Sequence, residues 1–155
     1  MDTRNLKKIV ADWPEFISYD NSDDKIKNFY SEHEGEKTKK SSIFYKKRLL
    51  DIFLLAMAIG KQSGGGRTKL ASKSRTMPKD ALTEEEIWMM TCVAFEEKEG
   101  DLNVLSDPKE IVNICEEYAH TGIRKLMALD YGSSITDPME PYENLLTKNL
   151  DKSIK

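Results

Sequence analysis

The chain has 155 residues and a formal net charge of −3, and 33% of its residues are charged against 39% that are hydrophobic. This length predicts a single domain whose core needs no disulfide or metal to hold it together. The two cysteines exclude a disulfide framework, and no apolar run reaches the roughly 20 residues of a membrane span. Because the first residues lack an apolar signal-peptide core, we expect a cytoplasmic protein without membrane contact.

The small net charge conceals two oppositely charged segments. Residues 37–79 carry 12 basic side chains against one acid, which gives +11, and residues 80–118 carry 12 acids against two bases, which gives −10. Such asymmetry indicates either a polyanionic partner or pairing between the two segments.

The first predicted elements are a short helix and a long one. Residues 24–31 have helical spacing around Ile26 and Phe29, after a stretch that Trp13-Pro14 interrupts. Ile43 to Ile59 is rich in Leu, Met and Ala and is followed by Gly60, a residue typical of the position just past a helix end. This second helix is apolar on nearly every side over its second half, so we expect it to be central and buried.

Two later helices have clear starts. Thr83-Glu84-Glu85-Glu86 is a capping box, and its helix should end near Gly100. Asp107 is placed as N-cap before Pro108, and the apolar stripe that follows predicts one helix to about Leu129, bent at Gly122.

The fold class predicted from these elements is mainly α, a single compact helical domain with a long basic Gly/Ser-rich loop. Residues 1–132 form the domain, and residues 133–155 form a C-terminal loop and a short amphipathic segment around Tyr142 to Leu150. No alternating run requires a sheet, although a short hairpin near Val10 or over residues 102–105 stays open.

The loop is the candidate binding element. Residues 60–79 read GKQSGGGRTKLASKSRTMPK, and three consecutive glycines with few apolar side chains predict an exposed, mobile loop. Its cations, hydroxyls and glycine amides are all donors to phosphate oxygens, and the absence of aromatic residues favours backbone contact over base stacking. With the basic residues before the long helix, the candidate nucleic-acid-binding residues are Lys46, Lys47, Arg48, Lys61, Arg67, Lys69, Lys73, Arg75 and Lys79.

Two other interpretations of this loop stay open. Its cations could instead neutralise the acidic segment, within one chain or across a dimer, or bind a small anion. A nucleotide P-loop is disfavoured, because Gly66-Arg67-Thr68 stands where Gly-Lys-Ser/Thr is required and the segment follows a helix.

No catalytic residue, metal site or cofactor is predicted. Cys92 and Cys115 fall in apolar stripes and are expected in the core. Glu96-Glu97-Lys98 contains the Glu-x-Lys of metal-dependent nucleases, but it lies at a predicted helix end, where Lys98 offsets the helix dipole. Trp88-Met89-Met90 is expected to pack in the core, with an adaptable partner-binding face as the alternative.

The central block resembles a known group of proteins. Phe44-Tyr45-Lys46, the apolar FxxAxxxG pattern of Phe53, Ala56 and Gly60, and the basic loop with Arg67 resemble small accessory proteins associated with bacterial DNA phosphorothioation (Dnd) defence loci. The likeness covers roughly residues 44–127 and includes a later acidic helix. This resemblance implies a partner protein in a DNA-modification or antiphage complex, and it identifies no catalytic residue in this chain.

We therefore expect a non-enzymatic accessory subunit of a prokaryotic DNA-processing or phage-defence complex. It would contact nucleic-acid phosphates through the 60–79 loop and bind other subunits of the complex through its helical faces. The alternative is a protein-interaction or oligomerisation module that forms a homo-oligomer and does not bind nucleic acid. The third hypothesis is a divalent-metal nuclease.

Overall fold

The computed structural model describes residues 8–129, so the predicted segment 133–155 lies outside the described range. Within it, four α-helices pack together, and sheet structure is minimal, which confirms the predicted mainly helical fold. The α-helices are α1 (Asp24–Phe29), α2 (Leu49–Gln62), α3 (Glu84–Glu97) and α4 (Pro108–Met127). The strands are β1 (Phe16–Ile17) and β2 (Met77–Pro78), and 3₁₀ turns lie at Glu36–Thr38, Lys79–Ala81 and Leu102–Ser106. None of the helices within residues 8–129 combines the length and apolarity needed to cross a membrane.

Helix α2 is the central helix, as predicted, but both of its ends differ from the prediction. It begins at Leu49, where the Arg48 backbone N–H donates to the Asp51 carboxylate over 2.8 Å. Residues 43–47 form turns instead, and Lys46 has a φ of 60° that no helix accommodates. At its other end α2 continues through Gly60 to Gln62, so the prediction that Gly60 ends the helix is wrong.

Gly60 lies inside α2 because α2 and α4 cross there with their backbones in contact. A Cβ atom on Gly60 would lie 1.9 Å from the Tyr118 carbonyl oxygen of α4. A Cβ on Gly122 of α4 would lie 1.7 Å from the Ala56 carbonyl oxygen of α2. The two glycines therefore set the distance between the two main core helices, a requirement that outweighs their low helix propensity.

Helix α3 begins at the predicted capping box. The Glu86 N–H donates to Thr83 Oγ1 over 3.3 Å, and the Thr83 N–H donates to Glu86 Oε2 over 2.9 Å. Its buried residues are Ile87, Met90, Thr91 and Ala94. Trp88, Met89 and Cys92 are exposed, so the expectation that they pack in the core is wrong. Met90 and Cys115 are in the core as expected.

Helix α4 is a single helix that continues through Gly122, as predicted. The Glu110 N–H donates to Asp107 Oδ1 over 3.2 Å, which confirms Asp107 as the N-cap before Pro108. The helix ends at Met127, two residues before the predicted limit. Its core-facing side packs on α2 and α3.

The short sheet joins the N-terminal segment to the end of the basic loop. Phe16 pairs with Pro78 and Ile17 with Met77 in an antiparallel ladder. Within residues 8–129 the chain forms no hairpin near Val10, and residues 102–106 form a 3₁₀ turn. The pairing brings the loop back across the domain beside α4.

Candidate nucleic-acid interface

The basic loop, residues 60–79, has no helix between the end of α2 and β2, but it is tethered to the body of the domain. The Asn21 N–H donates to the Ser72 carbonyl over 3.1 Å, and the Ser74 N–H donates to the Tyr19 carbonyl over 3.0 Å. The Thr68 N–H donates to the Glu117 carbonyl of α4 over 3.3 Å. These bonds correct the expectation of a loop free of the domain and place its backbone between the N-terminal segment and α4.

Two of the predicted binding cations pair with the acidic helices. Arg67 lies 3.0 Å from a carboxylate oxygen of Glu97 on α3 and 3.2 Å from one of Glu117 on α4. Lys61 lies 3.7 Å from Glu96 and 3.8 Å from Glu97. The basic loop and the acidic segment thus neutralise each other here within one chain.

Three further cations have partners inside the domain. Lys73 donates to Glu116 Oε1 over 2.8 Å, and Lys79 donates to the Trp13 carbonyl over 3.1 Å. Arg48 binds Asp51 at 2.8 Å and also contacts Glu86, and these two carboxylates raise the pKa of its guanidinium. Five of the nine candidates therefore hold the fold together.

The other four candidates are exposed. They are Lys46, Lys47, Lys69 and Arg75, and none of them forms an ion pair with another residue in the 8–129 range. Lys46 and Arg75 occupy the left-handed region at φ 60° and 52°, which costs about 1–2 kcal/mol for a residue with a Cβ. The Arg75 N–H donates to Ser18 Oγ over 3.1 Å, so a hydrogen bond to the N-terminal segment holds this unusual backbone in place.

A cleft of about 550 Å³ lies between the loop, the N-terminal segment and the first turns of α4. Lys73 and Arg75 line it from the loop, and Lys109 lines it from α4. Glu15, Asp107, Glu110 and Glu116 also line it. Three of these acids are already engaged: Asp107 caps α4, Glu110 pairs with Lys98 at 3.1 Å, and Glu116 pairs with Lys73.

Glu116 lies at the inner wall of this cleft and is 2% exposed. Its Oε2 accepts the Ser18 N–H over 2.7 Å, and its Oε1 accepts the Lys73 ammonium over 2.8 Å. Burial raises the pKa of this carboxyl, although Lys73 and the Ser18 N–H oppose the rise. Glu116 therefore joins three chain segments: the N-terminal segment, the basic loop and α4.

Asp20 of the N-terminal segment is a second buried tether, and it lies beside His120, one turn along α4 from Glu116. Its carboxylate accepts the Ala71 N–H over 2.6 Å and the Ser22 N–H over 2.8 Å. Burial alone would raise its pKa, but the Ser22 hydroxyl, together with these two N–H donors, lowers it. His120 Nε2 lies 3.7 Å from Asp20, and Nδ1 of this histidine is buried without a hydrogen-bond partner in the described residues.

His120 should make the fold sensitive to acid. Burial lowers the pKa of its imidazole against the opposing attraction of Asp20, so the folded state holds it neutral while the unfolded chain protonates near pH 6.5. The unfolded state then binds more protons below that value, and stability should fall as the pH drops through 6.5 toward the lower folded pKa. Urea unfolding between about pH 7.5 and about pH 5.5 measures this slope.

The matched control for this prediction is the other histidine. His120→Gln should flatten the slope of stability against pH, whereas His33→Gln, at an exposed position, should leave it unchanged. A slope that His120→Gln does not alter would show that another group causes the acid sensitivity.

Sequence reasoning missed this polar cluster, although one signal was available. Glu116 and His120 stand four residues apart on α4, in line with buried Val112. That spacing puts both side chains on one helix face whose neighbours are apolar, which indicates buried polar groups with defined partners. Asp20 had no comparable signal, because Ala71 and His120 reach it from distant parts of the chain.

Two other kinds of site were considered from the sequence, a metal site and the Glu-x-Lys triplet of a nuclease. No group of three metal-ligating side chains lies together within residues 8–129. Glu97 of the Glu96-Glu97-Lys98 triplet binds Arg67 and accepts the Tyr118 hydroxyl, and Lys98 pairs with Glu110. The triplet is thus at a helix end, as the sequence indicated, and its charges are engaged.

Comparison with known proteins gives no further guidance. No family model, no curated protein and no solved structure matches this chain. Inference about its function therefore depends on its own residues.

Proposed function

We propose that this chain is a non-enzymatic accessory subunit that contacts nucleic-acid phosphates through cations of the basic loop and of the turn before α2. The division of the nine cations is the observation that carries the proposal. Five have partners inside the domain, and the exposed Lys46, Lys47, Lys69 and Arg75 form no ion pair with another residue of the 8–129 range. The resemblance of residues 44–127 to accessory proteins of Dnd loci suggests the setting, a prokaryotic DNA-processing or phage-defence complex.

The tethered geometry supports binding in two ways. A loop that is already hydrogen-bonded loses less conformational entropy when it meets a ligand than a free loop does. Arg75 and Lys109 also line the cleft beside α4, where Lys73 already offsets the charge of Glu116. A phosphate at the mouth of this cleft would meet a guanidinium and an ammonium without displacing an internal ion pair.

The test measures binding of a short DNA duplex across salt concentration. Each phosphate contact contributes about 0.9 to the slope of log K against log salt, so Lys69→Ala with Arg75→Ala should reduce the slope by about 1.8. Lys46→Ala with Lys47→Ala should reduce it by a similar amount. Arg67 and Lys73 stay unchanged, because replacing them would loosen the loop.

The matched control removes the same charge elsewhere. Lys25→Ala with Lys27→Ala changes two exposed lysines of α1 and should leave the salt slope unchanged. The proposal would be overturned if the Lys25/Lys27 control lowered the salt slope as much as the test variants do. It would also be overturned if the native chain did not bind DNA at low salt. Sedimentation of the same variants tests the alternative: salt-sensitive self-association that the Lys69/Arg75 variant loses would instead identify an oligomerisation module.

A further inference from the structure

The His120 imidazole lies between two oppositely charged side chains. Its Nε2 is 3.4 Å from a guanidinium nitrogen of Arg124 and 3.7 Å from Oδ2 of Asp20. The residue is 6% exposed, and its Nδ1 forms no hydrogen bond within residues 8–129. A guanidinium can only donate hydrogen bonds, so Nε2 is the acceptor in the neutral ring and Nδ1 carries the proton.

We propose that His120 is a pH switch that controls one tether of the basic loop. When the ring is neutral, Arg124 donates to Nε2, and Oδ2 of Asp20 accepts the Ala71 N–H over 2.6 Å. When the ring is protonated, Nε2 becomes a donor, leaves Arg124 and binds Oδ2 of Asp20. The charged imidazolium then competes with the neutral Ala71 amide for the same oxygen atom, and the loop is released at Ala71.

The surroundings of Asp20 turn this into competition, because its other carboxylate oxygen is already occupied. Oδ1 accepts both the Ser22 N–H, over 2.8 Å, and the Ser22 hydroxyl. Asp20 is 2% exposed, so its carboxylate is held in one orientation and water does not replace the lost donor. Nε2 needs to approach Oδ2 by only about 1 Å to reach an ordinary charge-assisted hydrogen bond. Arg124 is exposed and can turn to water when Nε2 stops accepting.

Other ionisable groups also surround His120, and each has a separate effect. They are Tyr19 and Asp23 of the N-terminal segment, Tyr30 at the end of α1, and Glu116 one turn earlier on α4. Burial raises the pKa of both tyrosines, so they stay neutral. Asp23 caps α1 through the Lys25 N–H, and its charge adds to the attraction of Asp20 for the imidazolium. Glu116 binds the loop at Lys73, so its protonation is read out at a different residue.

NMR titration of the full chain tests the proposal, since the sequence contains only two histidines, His33 and His120. The ring ¹⁵N signals of neutral His120 should show a protonated Nδ1 and an unprotonated Nε2. The Ala71 amide signal should change with the same midpoint as the His120 ring. Its hydrogen exchange, corrected for the intrinsic effect of pH, should become several-fold faster below that midpoint.

Two other amides of the loop are internal controls. The Thr68 and Ser74 N–H groups donate to the backbone carbonyls of Glu117 and Tyr19, which do not titrate. Their signals and corrected exchange rates should therefore not follow the His120 midpoint. This comparison separates release at Ala71 from unfolding of the whole domain, which would expose all three amides together.

Surface and ring variants complete the test. Arg124→Ala removes the donor that favours the neutral ring, so it should raise the His120 and Ala71 midpoints together by about half a pH unit. His120→Gln should abolish the Ala71 transition, whereas His33→Gln and Glu116→Gln should preserve it. The switch acts within the domain, so this result does not depend on whether the chain binds nucleic acid.

Three outcomes would overturn the proposal. One is an Ala71 signal that stays constant through the His120 midpoint. Another is equal acceleration of exchange at Ala71, Thr68 and Ser74. The third is a neutral His120 ring whose proton is on Nε2, because Arg124 could not then donate to that atom.

Discussion

Gly122→Ala should lower the free energy of unfolding by about 3 kcal/mol or more, because the added methyl group would overlap the α2 backbone. Its Cβ would lie 1.7 Å from the Ala56 carbonyl oxygen and 2.7 Å from the Gly60 nitrogen. Backbone atoms at the centre of two packed helices cannot rotate away as the end of a side chain can. The helices would have to separate, and the contacts along their whole interface would loosen. Chemical denaturation at neutral pH measures the loss.

The sign of this prediction is informative because helix propensity opposes it. In a helix interior, Gly→Ala normally gains about 1 kcal/mol, so a strong loss can come only from the crossing. Gly65→Ala is the matched control, since its Cβ would meet Ser63 Oγ at 3.7 Å and Thr121 Cγ2 at 4.0 Å, which are ordinary contact distances. This control should be neutral or slightly stabilising. Stability of Gly122→Ala at or above the native value would mean that the two helices do not cross in backbone contact.

The helix starts were predictable because the chemistry that fixes them is local. Thr83 and Glu86 satisfy each other across three residues, and Asp107 caps its own helix. Gly60 was misassigned as a helix end because its role depends on α4, which is distant in sequence. Trp88 was likewise placed in the core from its spacing, whereas the structure buries Ile87 and Met90 on the same helix and leaves Trp88 exposed.

For the candidate site too, the local features could be predicted from the sequence and the long-range contacts could not. Composition identified the basic loop and the acidic helices, but it left open which cations would be paired. Arg67 meets Glu97 and Glu117 only because the loop lies between α3 and α4, and Lys73 reaches Glu116 across 43 residues. Pairing of this kind is set by the tertiary fold, so the sequence could state the alternatives without deciding between them.

Glu116→Ala should be the most damaging change in the loop tether, with an expected loss of about 2–3 kcal/mol. It removes the acceptor of the buried Ser18 N–H and the partner of the Lys73 ammonium together. The amide of Ser18, a residue that is 2% exposed, would lose its acceptor, and this accounts for most of the loss. Lys73 is 49% exposed and can turn to water, so its share is small. Denaturant unfolding gives the loss, and hydrogen exchange at the Ser18 amide shows where it arises.

Two further variants separate the hydrogen bond of Glu116 from its charge. Glu116→Gln keeps an acceptor for the Ser18 N–H and removes a buried charge, so it should cost less than Glu116→Ala. Glu117→Ala removes the neighbouring carboxylate, whose partner Arg67 also binds Glu97, and should cost about 1 kcal/mol or less. Equal losses for Glu116→Ala and Glu117→Ala would show that the tether depends on surface charge rather than on the buried bond.

The pH dependence of this tether has a definite sign. Because burial raises the pKa of Glu116 in the folded state, that state binds more protons than the unfolded chain above the ordinary glutamate pKa of 4.5. The contribution of Glu116 to stability should therefore decrease as the pH rises from 4.5 through the folded pKa. Lys73→Ala removes the cation that opposes this shift and should make the decrease steeper. An unchanged profile in Lys73→Ala would show that Lys73 does not hold the Glu116 carboxylate in its charged form.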